Sequence, residues 1–267
     1  FTPEQEYCLF TCCTTAYDVS NRKAGQALPQ LLESAGIYFG TLGTEESCCG
    51  DQAHKMGAAD IFSELARKNT ELFLRAGAQK ILTTSPHCLN AFKNNYEGLN
   101  GSVGSEHYTE VLDRLVDEGR LRPALEVAST VTYHDPCYLG RHNSIYEAPR
   151  RVLQSIPGLT LVEMANNRES SLCCGGGGGG AWSDVSLSEN FGVLRVKEAL
   201  ATGAEVIATA CPYCIRMLND GVRKLGMEKQ IVVKDLAELL LQSVVIRDEI
   251  GTAEYISVGV DQEVKHV

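Results

Sequence analysis

One cysteine pattern occurs twice in this chain, and that repetition limits the possible folds more than any other feature. The second copy runs Cys137, then Cys173-Cys174, then Cys211-Pro212-Tyr213-Cys214. The first runs Cys13, then Cys48-Cys49, then Ser85-Pro86-His87-Cys88. Corresponding positions are offset by 124 to 126 residues in a chain of 267. A constant offset near half the length means two copies of one structural unit. The second copy gathers five thiols, whereas the first has Ser85 where the second has Cys211. Only the second copy is therefore expected to hold a full complement.

Hydrophobic periodicity divides both halves in the same order. The first half reads as strands over 7–11, 37–42 and 80–84, with helices over 23–35 and 58–76 and a further helix over 108–118. The second reads as strands over 131–133, 160–164 and 205–209, with helices over 145–156 and 191–201. The glycine- and serine-rich stretch 98–105 and the stretch 121–129 read as connections. These place a first repeat at 1–125, a second at 126–250 and a C-terminal tail at 251–267. Strand–helix alternation predicts an α/β fold: two tandem pseudo-symmetric repeats, each a parallel sheet flanked by helices with right-handed crossovers. In such sheets, ligands sit beyond the C-terminal strand ends. Every pattern cysteine follows a strand, so a bound cluster is expected there.

Thiolates are the usual ligands of iron–sulfur clusters and also suit zinc, which takes four. Five thiols exceed the need of one zinc. Adjacent Cys173 and Cys174 can serve neighbouring irons, or one can bridge. Cys211 and Cys214 open a helix at Pro212, whose first amides favour anionic sulfur. The glycine run 175–180 lets backbone approach a cluster and donate N–H···S contacts. Eleven cysteines cannot all pair, and doublets with CxxC spacing suit metal in a reducing, cytoplasmic compartment. A net charge of −10 argues against a nucleic-acid partner. The apolar run 236–246, broken by Glu238, Gln242 and Ser243, is far short of the roughly 20 residues a bilayer span needs. No signal-peptide pattern opens the chain, and the start at Phe1 rather than Met fits a segment of a longer polypeptide.

Together, Cys48-Cys49-Gly50, Cys173-Cys174-Gly175, the CxxC at 211–214 and the stretch His134-Asp135-Pro136-Cys137-Tyr138-Leu139-Gly140-Arg141-His142 resemble the CCG, or cysteine-rich, domain family. Its members include the B and D subunits of heterodisulfide reductase, and heterodisulfide-reductase-D-like iron–sulfur subunits linked to electron-transfer flavoprotein or quinone. The resemblance implies a noncubane 4Fe–4S cluster held by Cys137, Cys173, Cys174, Cys211 and Cys214. In the degenerate first copy, Cys13, Cys48, Cys49 and Cys88 remain, beside Cys12. No cluster, an altered second cluster and a zinc site all stay open there. The resemblance further implies an electron-transfer subunit of an oxidoreductase complex. Its partners would be a ferredoxin-like iron–sulfur region or subunit, electron-transfer flavoprotein or another flavoprotein, and a membrane quinone-reducing subunit through which the chain becomes membrane-associated. A quinone or a disulfide would be the acceptor. The alternatives are a catalytic disulfide reductase and a zinc-stabilised structural module.

Other residues carry less. Cys8 is expected as a buried core thiol. His134, Gly175 and Gly176 are expected next to the ligands, with His134 and Asp135 balanced between a role at the site, orienting the loop or supplying protons, and a plain structural turn. His87 reads first as a helix-start residue, with proton donation or approach to the centre as the alternative. Arg141 and His142 read as exposed loop residues, with an anionic partner as the alternative. Trp182 is divided between shielding the cluster and core packing.

Overall fold

The computed structural model describes residues 1–99, 102–183, 185–247 and 253–254. It contains two four-stranded parallel sheets of the same topology. In the first, β1 (Tyr7–Phe10) lies between β2 (Phe39–Gly40) and β3 (Lys80–Thr83), with β4 (Gly104–His107) beyond β3. In the second, β5 (Ser129–Tyr133) lies between β6 (Leu159–Val162) and β7 (Val206–Thr209), with β8 (Val232–Asp235) beyond β7.

Side-chain alternation along the central strands builds three cores. Tyr7 and Leu9 of β1 face one apolar cluster, and Cys8 and Phe10 face another. Val206 and Ala208 of β7 join the first of these, while Ile207 faces the third. A strand buried on both faces in this way is typical of a parallel sheet covered by helices. Cys8 is fully buried in the core, as expected from its strand.

The central core belongs to both repeats. It contains Leu28, Leu31 and Leu32 of α2 (Arg22–Ser34), which follows the short α1 (Cys13–Tyr17). It also takes Val111, Leu112 and Leu115 of α6 (Tyr108–Asp117), Val152 and Leu153 of α7 (Glu147–Gln154), and Leu236, Leu239 and Leu240 of α10 (Leu236–Ser243). Helix α10 of the second half packs on α2 of the first, and α6 packs on α7. The outer face of the first sheet is covered by α4 (Ala59–Ala76), which follows α3 (Asp51–Lys55), and by residues after α5 (Pro86–Asn90). The outer face of the second is covered by α8 (Phe191–Leu200) and α9 (Pro212–Leu225).

Several expected bounds shift. The strand expected over 37–42 shrinks to Phe39–Gly40, and that over 160–164 becomes Leu159–Val162. The stretch 98–105 is not all connection, because β4 begins at Gly104. Strand β8 and helix α10 also lie outside the elements that periodicity marks. Both late strands run straight into helices through matching caps: His107 and Asp235 are N-caps, and Glu110 and Glu238 reach back to complete the capping boxes. Of the expected tail 251–267, only Ala253–Glu254 lies within the described residues, paired antiparallel with Ile246–Arg247. Among the described residues, no helix is long and apolar enough to cross a membrane.

Candidate metal centres

The pattern cysteines follow three adjacent strands in each sheet, and parallel register brings them to one edge. In the second repeat, Cys173 Sγ lies 3.9 Å from Cys137 Sγ, and Cys214 Sγ lies 3.3 Å from Cys174 Sγ. Cys174 directly follows Cys173, and Cys211 is the N-cap of the helix whose first turn carries Cys214. Five cysteines are thus gathered at this edge: Cys137, Cys173, Cys174, Cys211 and Cys214.

Local chemistry explains how each is placed. Cys211 is the N-cap of α9, with Pro212 at the first helical position. It makes no side-chain cap bond, so its sulfur is left for the site. The loop leading to Cys173 is fixed by Asp135. That carboxylate takes two hydrogen bonds from buried Arg150, at 2.7 and 2.9 Å, and one from the Arg168 amide at 2.8 Å. Asp135 therefore orients the loop. Arg141 is exposed, as read from the sequence, and its guanidinium donates to Ser171 O at 2.6 Å, tying the loop after Cys137 to the one before Cys173. His142 stacks on Tyr138 with ring centroids 4.4 Å apart.

After the doublet, the glycine run is folded tightly. The Gly175 amide donates to Cys173 Sγ at 3.3 Å. Gly175 has φ +83°, a conformation that L side chains rarely adopt. A Cβ on Gly176 would stand 2.9 Å from Met217 Cγ. Trp182 is not core: it is 60% exposed and meets the Tyr213 ring edge-on at 6.2 Å.

His134 is buried against the thiols. A ring nitrogen of His134 and the sulfurs of Cys174 and Cys214 lie within 4.8 Å of one another. Arg195 Nε donates to His134 Nδ1 at 3.0 Å, which leaves the proton on Nε2. Nε2 is buried with no partner among the described residues. Burial, and then the Arg195 charge, push the imidazole down to about 3, so the ring is neutral.

His87, from the first repeat, also reaches this site. Its Nδ1 pairs with Asp51 Oδ2 at 2.7 Å, and its ring lies against Tyr138 and Tyr213. Burial alone would lower the imidazole pKa, but Asp51 and Cys211 outweigh it and raise it to about 10. Cys211 responds in kind: burial raises its thiol, but hydrogen bonds from Cys214 and His87 bring it to about 6. His87 is thus more than a helix-start residue.

The first repeat mirrors this geometry. Cys13 Sγ is 3.7 Å from Cys48 Sγ, Cys88 Sγ is 3.4 Å from Cys49 Sγ, and the Gly50 amide donates to Cys48 Sγ at 3.4 Å. Tyr96 Oη donates to Cys49 O at 2.8 Å, and Asn69 Nδ2 donates to Cys48 O at 3.0 Å, pinning the doublet. In both copies the first cysteine of the doublet is driven down to about 2 by thiol hydrogen bonds, while its neighbour is driven up. Clustered thiols thus share protons and cannot all ionise without a compensating cation. Soft sulfur donors in buried and half-buried positions, with backbone amides aimed at them, fit an iron–sulfur group, which would take the place of those protons.

Sequence reasoning overlooks Arg195 and Asp51. Each leaves a signal: Arg195 interrupts the apolar face formed by Val193, Val196 and Ala199, and Asp51 directly follows Cys48-Cys49-Gly50.

A pair of pseudo-symmetric parallel α/β repeats, each closing a thiol cluster at its strand ends, defines a cysteine-rich redox-type module. The chain belongs to the cysteine-rich domain (CCG) family, whose model matches residues 7–93 and 131–219. Membership implies an iron–sulfur cluster. The chain is 42% identical over 247 residues to the "Probable iron-sulfur-binding oxidoreductase FadF" of Bacillus subtilis, covering 92% of this chain and 35% of that protein. It is 38% identical to the "EtfAB:quinone oxidoreductase" of Syntrophomonas wolfei, covering 89% and 34%. It is 37% identical to the D subunit of the dihydromethanophenazine:CoB--CoM heterodisulfide reductase of Methanosarcina barkeri, covering 88% and 58%. The chain thus spans about a third of the length of the first two.

Proposed function

We propose that this chain is an iron–sulfur electron-transfer part of a heterodisulfide-reductase-like oxidoreductase. Cys137, Cys173, Cys174, Cys211 and Cys214 would hold a noncubane 4Fe–4S cluster. The observation that carries the proposal is the gathering of these five cysteines at one sheet edge, with Cys137 paired to Cys173 and Cys174 to Cys214, faced by the Gly175 amide and by neutral His134. When bound, such a cluster supplies one-electron chemistry. The chain's own groups set its environment. Gly175 N–H donates to Cys173, His134 is oriented by Arg195, and the His87 ring lies 4.9 Å from that of Tyr213, the residue between Cys211 and Cys214. Hydrogen bonds to sulfur and exclusion of water are the levers by which a protein tunes such a potential.

The partners follow from the relatives. The names of two of them pair the activity with electron-transfer flavoprotein and quinone, or with heterodisulfide. A flavoprotein or ferredoxin-type donor and a quinone or disulfide acceptor are therefore proposed for the protein carrying this chain, with membrane association through a quinone-reducing partner. The test is iron and acid-labile sulfide after anaerobic purification, with EPR, for wild type and Cys211→Ser. Loss of about four iron and four sulfide, with one EPR signal, is the expected result for one 4Fe–4S centre. An unchanged iron content and spectrum would overturn the ligand assignment.

A further inference from the structure

Cys12 has no counterpart thiol in the second repeat: the equivalent position there is Pro136. In the structure Cys12 is 2% exposed and lies in one buried cluster with Cys49 and Cys88, beside its chain neighbour Cys13. With Cys13 Sγ 3.7 Å from Cys48 Sγ and Cys88 Sγ 3.4 Å from Cys49 Sγ, five cysteines gather here: Cys12, Cys13, Cys48, Cys49 and Cys88. The first repeat therefore gathers as many sulfurs as the second, although it lacks a thiol at position 85.

Three further observations single out Cys12. Its φ is +70°, a strained conformation for a residue with a side chain. That conformation is held by a dedicated clamp. The two carboxylate oxygens of Glu46 each accept one amide, Thr11 N and Cys12 N, both at 3.2 Å. The position equivalent to Glu46 in the second repeat is Ser171, so the clamp accompanies the extra thiol. Finally, Ser85 is the N-cap of α5, as Cys211 is of α9, but its hydroxyl caps nothing. It is fully buried and has no hydrogen-bond partner among the described residues. An unpaired buried hydroxyl is left without the hydrogen bonds it would have in water, so nothing in the local geometry rewards a serine there.

We propose that Cys12 supplies the fifth thiolate of a second iron–sulfur centre, bound by Cys12, Cys13, Cys48, Cys49 and Cys88, in place of the thiol absent at Ser85. The missing ligand has moved from the helix start after β3 to the loop after β1, an adjacent strand at the same sheet edge. This deepens the cluster assignment made above for the second repeat and rests on it.

The experiment compares the anaerobically purified protein that carries this chain with Cys12→Ser, Cys211→Ser and the double variant Cys12→Ser/Ser85→Cys. Iron, sulfide and zinc are counted per chain, and EPR spectra are recorded over a redox titration. Cys12→Ser is expected to lose about four iron and four sulfide, or to change one EPR signal, while a second signal stays unchanged. That persisting signal also reports that the variant has folded, and Cys211→Ser is expected to remove it. The double variant returns a thiol to the position used in the second repeat and is expected to restore the lost iron. The proposal is overturned if Cys12→Ser leaves iron and spectra as in wild type, or if the first thiol set holds zinc. Should Cys12→Ser fail to fold, the proposal is overturned by a wild type in which Cys211→Ser removes every signal of noncubane type. Loss of the Cys12-dependent centre alone, or of the Cys211-dependent centre alone, separates failure of one assignment from failure of the other.

Discussion

Arg195 Nε donates to His134 Nδ1 at 3.0 Å, and both side chains are fully buried beside the second thiol set. That bond selects the tautomer. With Nδ1 accepting, the proton sits on Nε2, and the ring stays neutral because burial and the guanidinium charge both oppose a second proton.

Arg195→Met removes the donor and also releases Asn166 O and Glu198, which Arg195 binds at 2.7 and 2.6 Å. We expect a loss of about 1.5–3 kcal/mol in stability. A shifted midpoint of the Cys211-dependent centre is expected as well, because the imidazole is then free to change tautomer. Denaturant titration measures the first and a potentiometric EPR titration the second. An unmoved midpoint would show that the His134 orientation does not matter to the centre.

Arg150 neutralises Asp135 and Glu163 from a position only 1% exposed. Arg150→Met strands the Asp135 carboxylate in the core, which should cost about 3–5 kcal/mol. Adding Asp135→Asn should return part of it, since the uncompensated charge is gone. A double-mutant cycle by urea denaturation gives the coupling.

Gly180 carries no positive φ, but a Cβ there would stand 2.0 Å from Gly175 O, a backbone atom that cannot step aside. Gly180→Ala should therefore displace the loop after Cys174. It should reduce occupancy of the Cys211-dependent centre and leave a Cys12-dependent signal intact. Gly203→Ala, with open space around it, is the control for a change of residue alone, although its φ of +74° carries its own local strain.

His107 caps α6 through an unprotonated Nδ1, and burial pushes its pKa down to about 3. Between that value and the ordinary histidine value near 6.5, the unfolded chain binds a proton that the native one does not. Stability due to His107 is thus fully present above about 6.5 and is lost as pH falls through this window. Asp235, the matching cap of α10, has its carboxyl raised to about 7 by burial and gives the opposite slope. The difference between wild type and His107→Asn isolates the histidine: the variant should lose less stability between pH 6.5 and pH 4. Parallel pH profiles for the two proteins would refute the cap assignment.

The doublets, the CxxC and the offset of 124 to 126 residues revealed the repeat, and strand–helix alternation gave parallel sheets with sites at their C-terminal ends. These features are local in the chain, and local periodicity is written in consecutive residues. Strand β4 escaped because Gly104-Ser105-Glu106-His107 carries no apolar run, and β8 because Ile231-Val232-Val233 is short and passes at once into Lys234-Asp235; both are edge strands with half-exposed side chains.

What the sequence determined by itself was the kind of chemistry: soft sulfur donors, in repeated spacing, at the ends of strands. What only the tertiary structure decided was which groups share each site. His87 comes from the other repeat to Tyr213, between Cys211 and Cys214, Arg195 to His134 across 61 residues, and Cys12 into one buried cluster with Cys49 and Cys88. No spacing rule encodes those meetings. They arise because helices α2 and α10, and α6 and α7, bury their apolar faces against one another in a core that both repeats share. That packing sets the two halves face to face and determines which side chains meet there.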